Sequence, residues 1–300
     1  MTTDYHPGER GVQRRAGALA RADHAQRAIR DRIPEVAAGF LAGRTTLVVG
    51  ARDAAGRVWA SQLTGPAGFV TAPDERTVAV RAAPDPDDPL AEVLTAAGET
   101  PVGAVAVEPA TRRRMRVNGW VRPAEGELRL RVAQVYANCP RHITRRVVTH
   151  LAPAARRRPP VRVTPALTPA QQALVAAADT CFVASGDLDG SMDASHRGGP
   201  PGFLRVTAPD LISWPDYRGN AMYMTLGNLA RDPRAGLLVV DWADGTLLHL
   251  TGRARVDWSP ARAAALDGAE RMVDFQIERV LARPAASALR WATPDPADAH

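Results

Sequence analysis

One stretch of this chain occurs twice. Thr46 to Phe69 lies over Thr180 to Phe203 without a gap, and 10 of the 24 positions are identical. The identities include Gly56/Gly190, Ala60/Ala194, Ser61/Ser195, Gly65/Gly199, Pro66/Pro200 and Phe69/Phe203. T-A-P-D recurs at Thr71 and Thr207, and Gly103 and Gly119 match Gly236 and Gly252 at a common offset. A repeat this long does not build a solenoid; it fits two copies of one domain. Whatever the first half folds into, the second must fold into as well.

The local pattern within each copy is that of short strands. In T-T-L-V-V-G-A-R-D-A-A-G-R-V-W-A-S-Q-L, two apolar runs flank D-A-A-G, a hairpin signature. G-F-V-T-A-P-D-E-R-T-V-A-V repeats that logic around P-D-E-R. Three later runs bring the count to six or seven strands, after a short helix over Leu90 to Ala97. The second copy continues through L-L-V-V-D, a turn at Ala243 to Gly245, L-L-H-L-T-G-R-A-R-V, a short helix from Pro260 and a last strand over Met272 to Leu281. Short strands with turns at regular spacing predict a mainly β fold with peripheral helices, as two β-barrels in tandem.

The expected boundaries are a helical amino-terminal segment over 1–43, a first barrel over 44–152, a linker over 153–169, a second barrel over 170–283 and a tail over 284–300. In the amino-terminal segment Met1 to Gly11 reads as a polar lead-in. Apolar positions at helical spacing then run from Val12 to Ile33, and Glu35 to Leu41 gives a further short helix. Thr168 caps a helix with Pro169 in its first turn.

Composition narrows the function. The apolar fraction of 45% suffices for cores, and no apolar run approaches the ~18 residues of a membrane span. The amino terminus lacks a secretory pattern, so a cytoplasmic protein is expected. The formal net charge is +6, and all 38 basic residues are arginine. Without lysine there is no Schiff-base catalysis and no P-loop lysine. Acids are interspersed with the arginines, so a solvated surface is favoured over specific nucleic-acid binding. The arginine runs at Arg112 to Arg114 and in the linker read as solvated charge. Cys139 and Cys181 lie far apart, which argues against a zinc site or a disulfide framework. Asp187 to Asp193 reads as a hairpin turn rather than a calcium loop, and His249 as a structural histidine. No nucleophile elbow and no nicotinamide-type glycine fingerprint is present.

Function is concentrated where the copies differ. Asp193 to Leu229 places His196, Arg197, Arg205 and Arg218 among glycines, prolines, Trp214 and Tyr217. Arginine offers a planar fork of donors that suits phosphate oxygens. The first copy has Gln62 and Leu63 where the second has His196 and Arg197, and an acidic A-P-D-P-D-D-P loop where the second has P-D-Y-R-G-N. Carboxylates repel an anion, so only the second copy is expected to hold an anionic ligand, with the first as a partner half.

S-H-R-G-G-P-P-G-F followed by P-D-Y-R-G-N-A-M-Y-M-T-L-G-N-L resembles the pyridoxamine 5'-phosphate oxidase-like family of FMN-binding split β-barrels. The resemblance covers Ala177 to Trp258 well and the first half more loosely; H-P-G-E-R-x-x-Q near the amino terminus is similar to the opening of some members. It implies an FMN-dependent oxidoreductase that exchanges two electrons with a small substrate, with a nicotinamide reductant as a further partner. FMN would lie noncovalently at a barrel–barrel interface, within a homodimer or an intrachain pseudo-dimer. On the matching positions Arg197 and Arg218 would contact the phosphate, helped by Ser195, His196 and Asn220. Trp214, Pro215 and Tyr217 would line the ring or ribitol, and Asn228 would begin a helix that supports the anion. The deazaflavin F420 and haem are alternative cofactors, and a flavin carrier or sensor without turnover is an alternative role.

Overall fold

The computed structural model describes residues 1–137, 140–151 and 160–292. Cys139, most of the first half of the expected linker and the last eight residues lie outside the described residues.

The amino-terminal arm holds three helices, α1 (Pro7–Arg15), α2 (Leu19–Gln26) and α3 (Glu35–Ala42). Seven strands follow: β1 (Thr46–Arg52), β2 (Val58–Thr64), β3 (Val70–Asp74), β4 (Thr77–Val80), β5 (Thr100–Glu108), β6 (Arg113–Ala124) and β7 (Glu127–Ala137), with α4 (Ala91–Thr95) between β4 and β5. A connecting region contributes β8 (Val147–Leu151), β9 (Arg162–Thr164) and α5 (Pro169–Ala177). The second set is β10 (Thr180–Gly186), β11 (Met192–Gly198), β12 (Arg205–Ala208), β13 (Leu211–Tyr217), α6 (Met224–Arg231), β14 (Arg234–Val240), β15 (Leu247–Asp257), α7 (Pro260–Ala264) and β16 (Ala269–Arg283), and β17 (Leu289–Ala292) ends it.

The two large sheets have one topology. The first runs β2-β1-β5-β6-β7-β4-β3 and the second β11-β10-β14-β15-β16-β13-β12, which is the same order strand for strand. Their first hairpins pair in matching register, Val49 opposite Ser61 and Val183 opposite Ser195. Gly119 and Gly252 both stand at a β-bulge, in β6 and β15 respectively. These are two split β-barrels in tandem, as the repeat requires.

The barrels meet face to face, and this explains why β1 and β10 are apolar at consecutive positions. Successive side chains of a strand point to opposite faces. Leu47 and Val49 enter the core of the first barrel, while Val48 enters a separate cluster with Val105, Phe182, Ala194 and Leu238, drawn from both barrels. A strand covered on both sides needs no polar alternation. Glycine makes the approach close. A Cβ on Gly103 would lie 2.3 Å from Asp193 Cα, and one on Gly236 would lie 2.6 Å from Trp59 Cα. Each barrel thus inserts a glycine against the partner's second strand. The two barrels pack against each other within one chain.

Four expectations need correction. The helix expected over Val12 to Ile33 is two helices, because Gly17 at φ 61° turns the chain between α1 and α2. The expected lead-in is already helical from Pro7. His6 caps α1: its ring accepts from Gly8 N at 3.1 Å while Glu9 Oε2 accepts from His6 N at 2.8 Å. Within the expected linker, β9 pairs with β16. Residues 284–292 are not a tail, since β17 pairs with β8 and Trp291 N donates to Trp242 O beside the β14–β15 turn. Thr168 caps α5 through a reciprocal box with Gln171, as its sequence position suggests.

Candidate functional site

A cleft opens between the barrels where β11 and β13 end. Its cavity volume is about 110 Å³, smaller than the roughly 300–1,000 Å³ of drug-sized ligand pockets. The second barrel contributes His196, Arg197, Pro215, Asp216, Tyr217 and the loop from Arg218 to Tyr223. The first barrel contributes Arg114 and Arg116 from β6, and Arg141 and His142 follow it.

Strand geometry places these side chains. On β11, Met192 and Ala194 face the partner barrel. His196 continues that face, is 3% exposed, and meets Arg114 of β6, with Nη1 to Nδ1 at 2.9 Å. Arg197 points the other way and donates from Nη1 to the His196 carbonyl at 3.1 Å. Its Nε is buried and has no hydrogen-bond partner among the described residues. Pro215 is tolerated in β13 because β12 pairs only as far as Ser213, so no ladder bond is lost on that side. The Tyr217 ring stacks on His142, centroids 4.3 Å apart and planes within 10°. Arg218 is exposed at the rim. Asn220 Oδ1 accepts from Met222 N at 3.1 Å, shaping a loop in which Ala221 and Tyr223 are both left-handed, at φ 65° and 55°.

The cleft is electropositive. Five arginines line it, at 114, 116, 141, 197 and 218, against one carboxylate, Asp216. Asp216 is already engaged by Arg271 Nη1 at 3.0 Å. Arg116 is held by Asp193 at 2.9 Å, and the same carboxylate accepts from Tyr136 Oη at 3.2 Å. Burial, reinforced by Arg114, Arg197 and Arg116, pushes the His196 pKa well below its ordinary value. Burial, with Arg114 and Arg141 behind it, lowers that of His142 as well. Both imidazoles are neutral at pH 7. Burial pulls the Arg197 pKa down, opposed first by Asp216. The arrangement suits an anion carried on a flat ring system.

Six of the nine expected site residues line the cleft: His196, Arg197, Pro215, Tyr217, Arg218 and Asn220. Three do not. Ser195 is fully buried beneath it, donating to Val183 O at 3.3 Å and bonded to Thr225 Oγ1 at 3.1 Å. Trp214 is 1% exposed and packs into the second barrel beside Phe275. Asn228 does not begin a helix: α6 starts at Met224, and Asn228 in its interior bonds Ser185 and His6. The chief omission in the sequence reading is Arg114, taken for solvated charge. Its strand position opposite β11 becomes visible only once the barrels are packed.

The equivalent place in the first copy is filled from within. Asp88, from the acidic loop, is 7% exposed and accepts from Ser61 Oγ, the counterpart of Ser195 Oγ. Arg283 Nη1 donates to the same carboxylate at 2.8 Å. An internal carboxylate, paired with its own arginine, occupies this pseudo-site.

Residues 167–291 match the sequence model of the family described as pyridoxamine 5'-phosphate oxidase. No curated protein matches the chain significantly. Solved structures give similarities of limited extent. A provisionally named pyridoxamine 5'-phosphate oxidase from Lactobacillus delbrueckii is 20% identical, over 39% of this chain and 94% of its own, with a TM-score of 0.33. An FMN-binding protein from Syntrophomonas wolfei is 11% identical, over 37% of this chain and 81% of its own, with a TM-score of 0.30. HupZ of Group A Streptococcus is 14% identical, over 41% of this chain and 98% of its own, with a TM-score of 0.34. Among the described residues no helix is long and apolar enough to cross a membrane. The matched segment carries β11, β13 and α6, so the pyridoxamine 5'-phosphate oxidase match and the cleft coincide in the second copy.

Proposed function

We propose that the cleft holds FMN noncovalently and that the protein is a cytoplasmic FMN-dependent oxidoreductase. The observation that carries this reading is Arg197: a buried guanidinium Nε without an acceptor among the described residues, in a cleft with four more arginines. A buried donor left unsatisfied costs about 1–3 kcal/mol, and a phosphate oxygen is the acceptor it lacks. Arg197 holds the phosphate from the floor and Arg218 closes on it from the rim. Tyr217, stacked on His142, and Pro215 offer the flat apolar surface that an isoalloxazine ring or its ribitol needs. Bound flavin would supply two-electron chemistry; the protein supplies binding, orientation and electrostatics. The neutral His196 keeps Arg114 turned toward the cleft without adding charge. The substrate is a small molecule, with a nicotinamide as the reductant.

A flavin carrier or sensor is the second reading. Asp216 is engaged by Arg271 and His196 by Arg114, so neither is poised as an acid or base for a substrate. The visible spectrum of the purified protein, followed by FMN titration, tests cofactor binding. A colourless protein that takes up no FMN at micromolar concentration removes the proposal, and a deazaflavin or haem spectrum redirects it. NADH- or NADPH-driven turnover of bound flavin separates the enzyme from the carrier.

A further inference from the structure

We propose that Gln13, in the amino-terminal arm, is a positioning residue that holds the loop from Asn220 to Met224 in the shape that lines the cleft. The inference rests on reading that cleft as a cofactor site. The loop cannot hold this shape by its own preference. Ala221 and Tyr223 both lie in the left-handed region, at φ 65° and 55°, where a Cβ is costly and surroundings must compensate. The residue between them is pinned on both sides. Met222 N donates to Asn220 Oδ1 at 3.1 Å, and Met222 O accepts from Gln13 Nε2 at 3.0 Å. One partner is local; the other comes from 209 positions upstream.

Gln13 is itself fixed. It is fully buried, and its Oε1 accepts from Arg10 Nη1 at 2.9 Å. Arg10 Nη1 is held in turn by Asp23 at 2.6 Å. The amide oxygen is thereby committed to Arg10, so the nitrogen faces the Met222 carbonyl. The helix carrying Gln13 has little room to shift. A Cβ on Gly8 would lie 2.4 Å from Gly227 O, and one on Gly227 would lie 2.4 Å from Glu9 Cγ, so α1 and α6 touch through glycines. His6 Nδ1 accepts from Gly8 N at 3.1 Å, which leaves Nε2–H to donate to Asn228 Oδ1 at 2.9 Å. Asn228 Nδ2 donates onward to Ser185 Oγ at 3.0 Å. The arm is therefore docked on the helix that the loop leads into, and Gln13 reaches past it to the loop.

The test uses the full chain with Gln13→Glu, which keeps an acceptor for Arg10 but removes the donor to Met222 O. Gln13→Asn, one methylene shorter, removes the same bond by reach. Amide hydrogen exchange at residues 221–224 should speed by about tenfold or more in either variant, while β14 and β15 keep wild-type rates. The dissociation constant for FMN should rise about tenfold. Wild-type exchange at 221–224 in a folded variant overturns the proposal. So does faster exchange with unchanged FMN affinity, since the loop would then not position the site. Faster exchange in a protein whose wild type binds no FMN keeps the positioning role and removes the cofactor reading instead. If neither variant folds while Arg10→Ala does, Gln13 is a core strut and the proposal fails.

Discussion

Replacing Arg197 with leucine separates a residue kept for a ligand from one kept for the fold, because the two roles predict opposite signs. In the ligand-free protein the side chain gives one hydrogen bond, from Nη1 to the His196 carbonyl at 3.1 Å, and leaves Nε buried without a partner. The bond contributes about 0.5–1.5 kcal/mol, whereas the unsatisfied donor costs about 1–3 kcal/mol. Burial lowers the pKa of this guanidinium, opposed first by the attraction of Asp216, with Arg116 adding repulsion. Removing it should leave the apo protein unchanged or up to about 2 kcal/mol more stable, a rise in Tm of up to roughly 3 °C for a chain this long. FMN should suffer the reverse effect. A charge-assisted phosphate contact contributes about 1.5–3 kcal/mol, so affinity should fall roughly ten- to a hundredfold. Thermal melting of the apo protein and titration of flavin fluorescence read the two arms. A Tm loss of about 5 °C or more with unchanged FMN affinity would refute the reasoning and make Arg197 structural.

Three further predictions follow from other parts of the molecule. Arg218→Ala should weaken FMN about tenfold and leave riboflavin, which lacks the phosphate, nearly unaffected; Arg81→Ala, at an exposed residue whose side chain donates to Gly68 O, should change neither in the same titration. Gly236→Ala would push a Cβ against the Trp59 backbone, and should destabilise by about 1–3 kcal/mol or more in chemical denaturation, since neither backbone can yield without parting the barrels. Glu9 is 3% exposed, and burial raises its pKa from 4.5 to about 8. Because the folded state holds the proton more tightly, its contribution to stability is fully present below about pH 4.5 and is lost as pH rises through 8. Glu9→Gln should flatten that part of the stability profile between pH 5 and 9, and an unchanged slope would refute the assignment.

Much of the fold was legible because the repeat and the strand chemistry are local properties of the sequence. D-A-A-G and D-L-D-G turn the two first hairpins, and Gly56 and Gly190 take the positive φ of 76° and 87° that those turns need. The apolar runs at Thr46 and Thr180 fixed β1 and β10. The asymmetry between copies was legible for the same reason, since a carboxylate loop in place of P-D-Y-R-G-N changes sign wherever it lands. Hydrophobic spacing could not find the break at Gly17, because glycine there changes backbone direction without interrupting the polar pattern. Residues 284–292 read as a tail because β17 gains its partner, β8, only from the middle of the chain.

The sequence by itself therefore determined two like barrels and singled out six residues that line the cleft. Tertiary structure decided which faces met. Ser195, Trp214 and Asn228 have the side chains of ligand contacts, but their depth along strand and helix puts them in the interior. Arg114 sits in a run of three arginines with nothing local to distinguish it, yet the packing of β6 on β11 brings it to His196 at 2.9 Å. Docking of the arm on α6 sets Gln13 under Met222, and folding of the acidic loop sets Asp88 under Ser61. The Arg114–His196 contact joins residues far apart in the chain, across the interface where the glycines at 103 and 236 let the two sheets close.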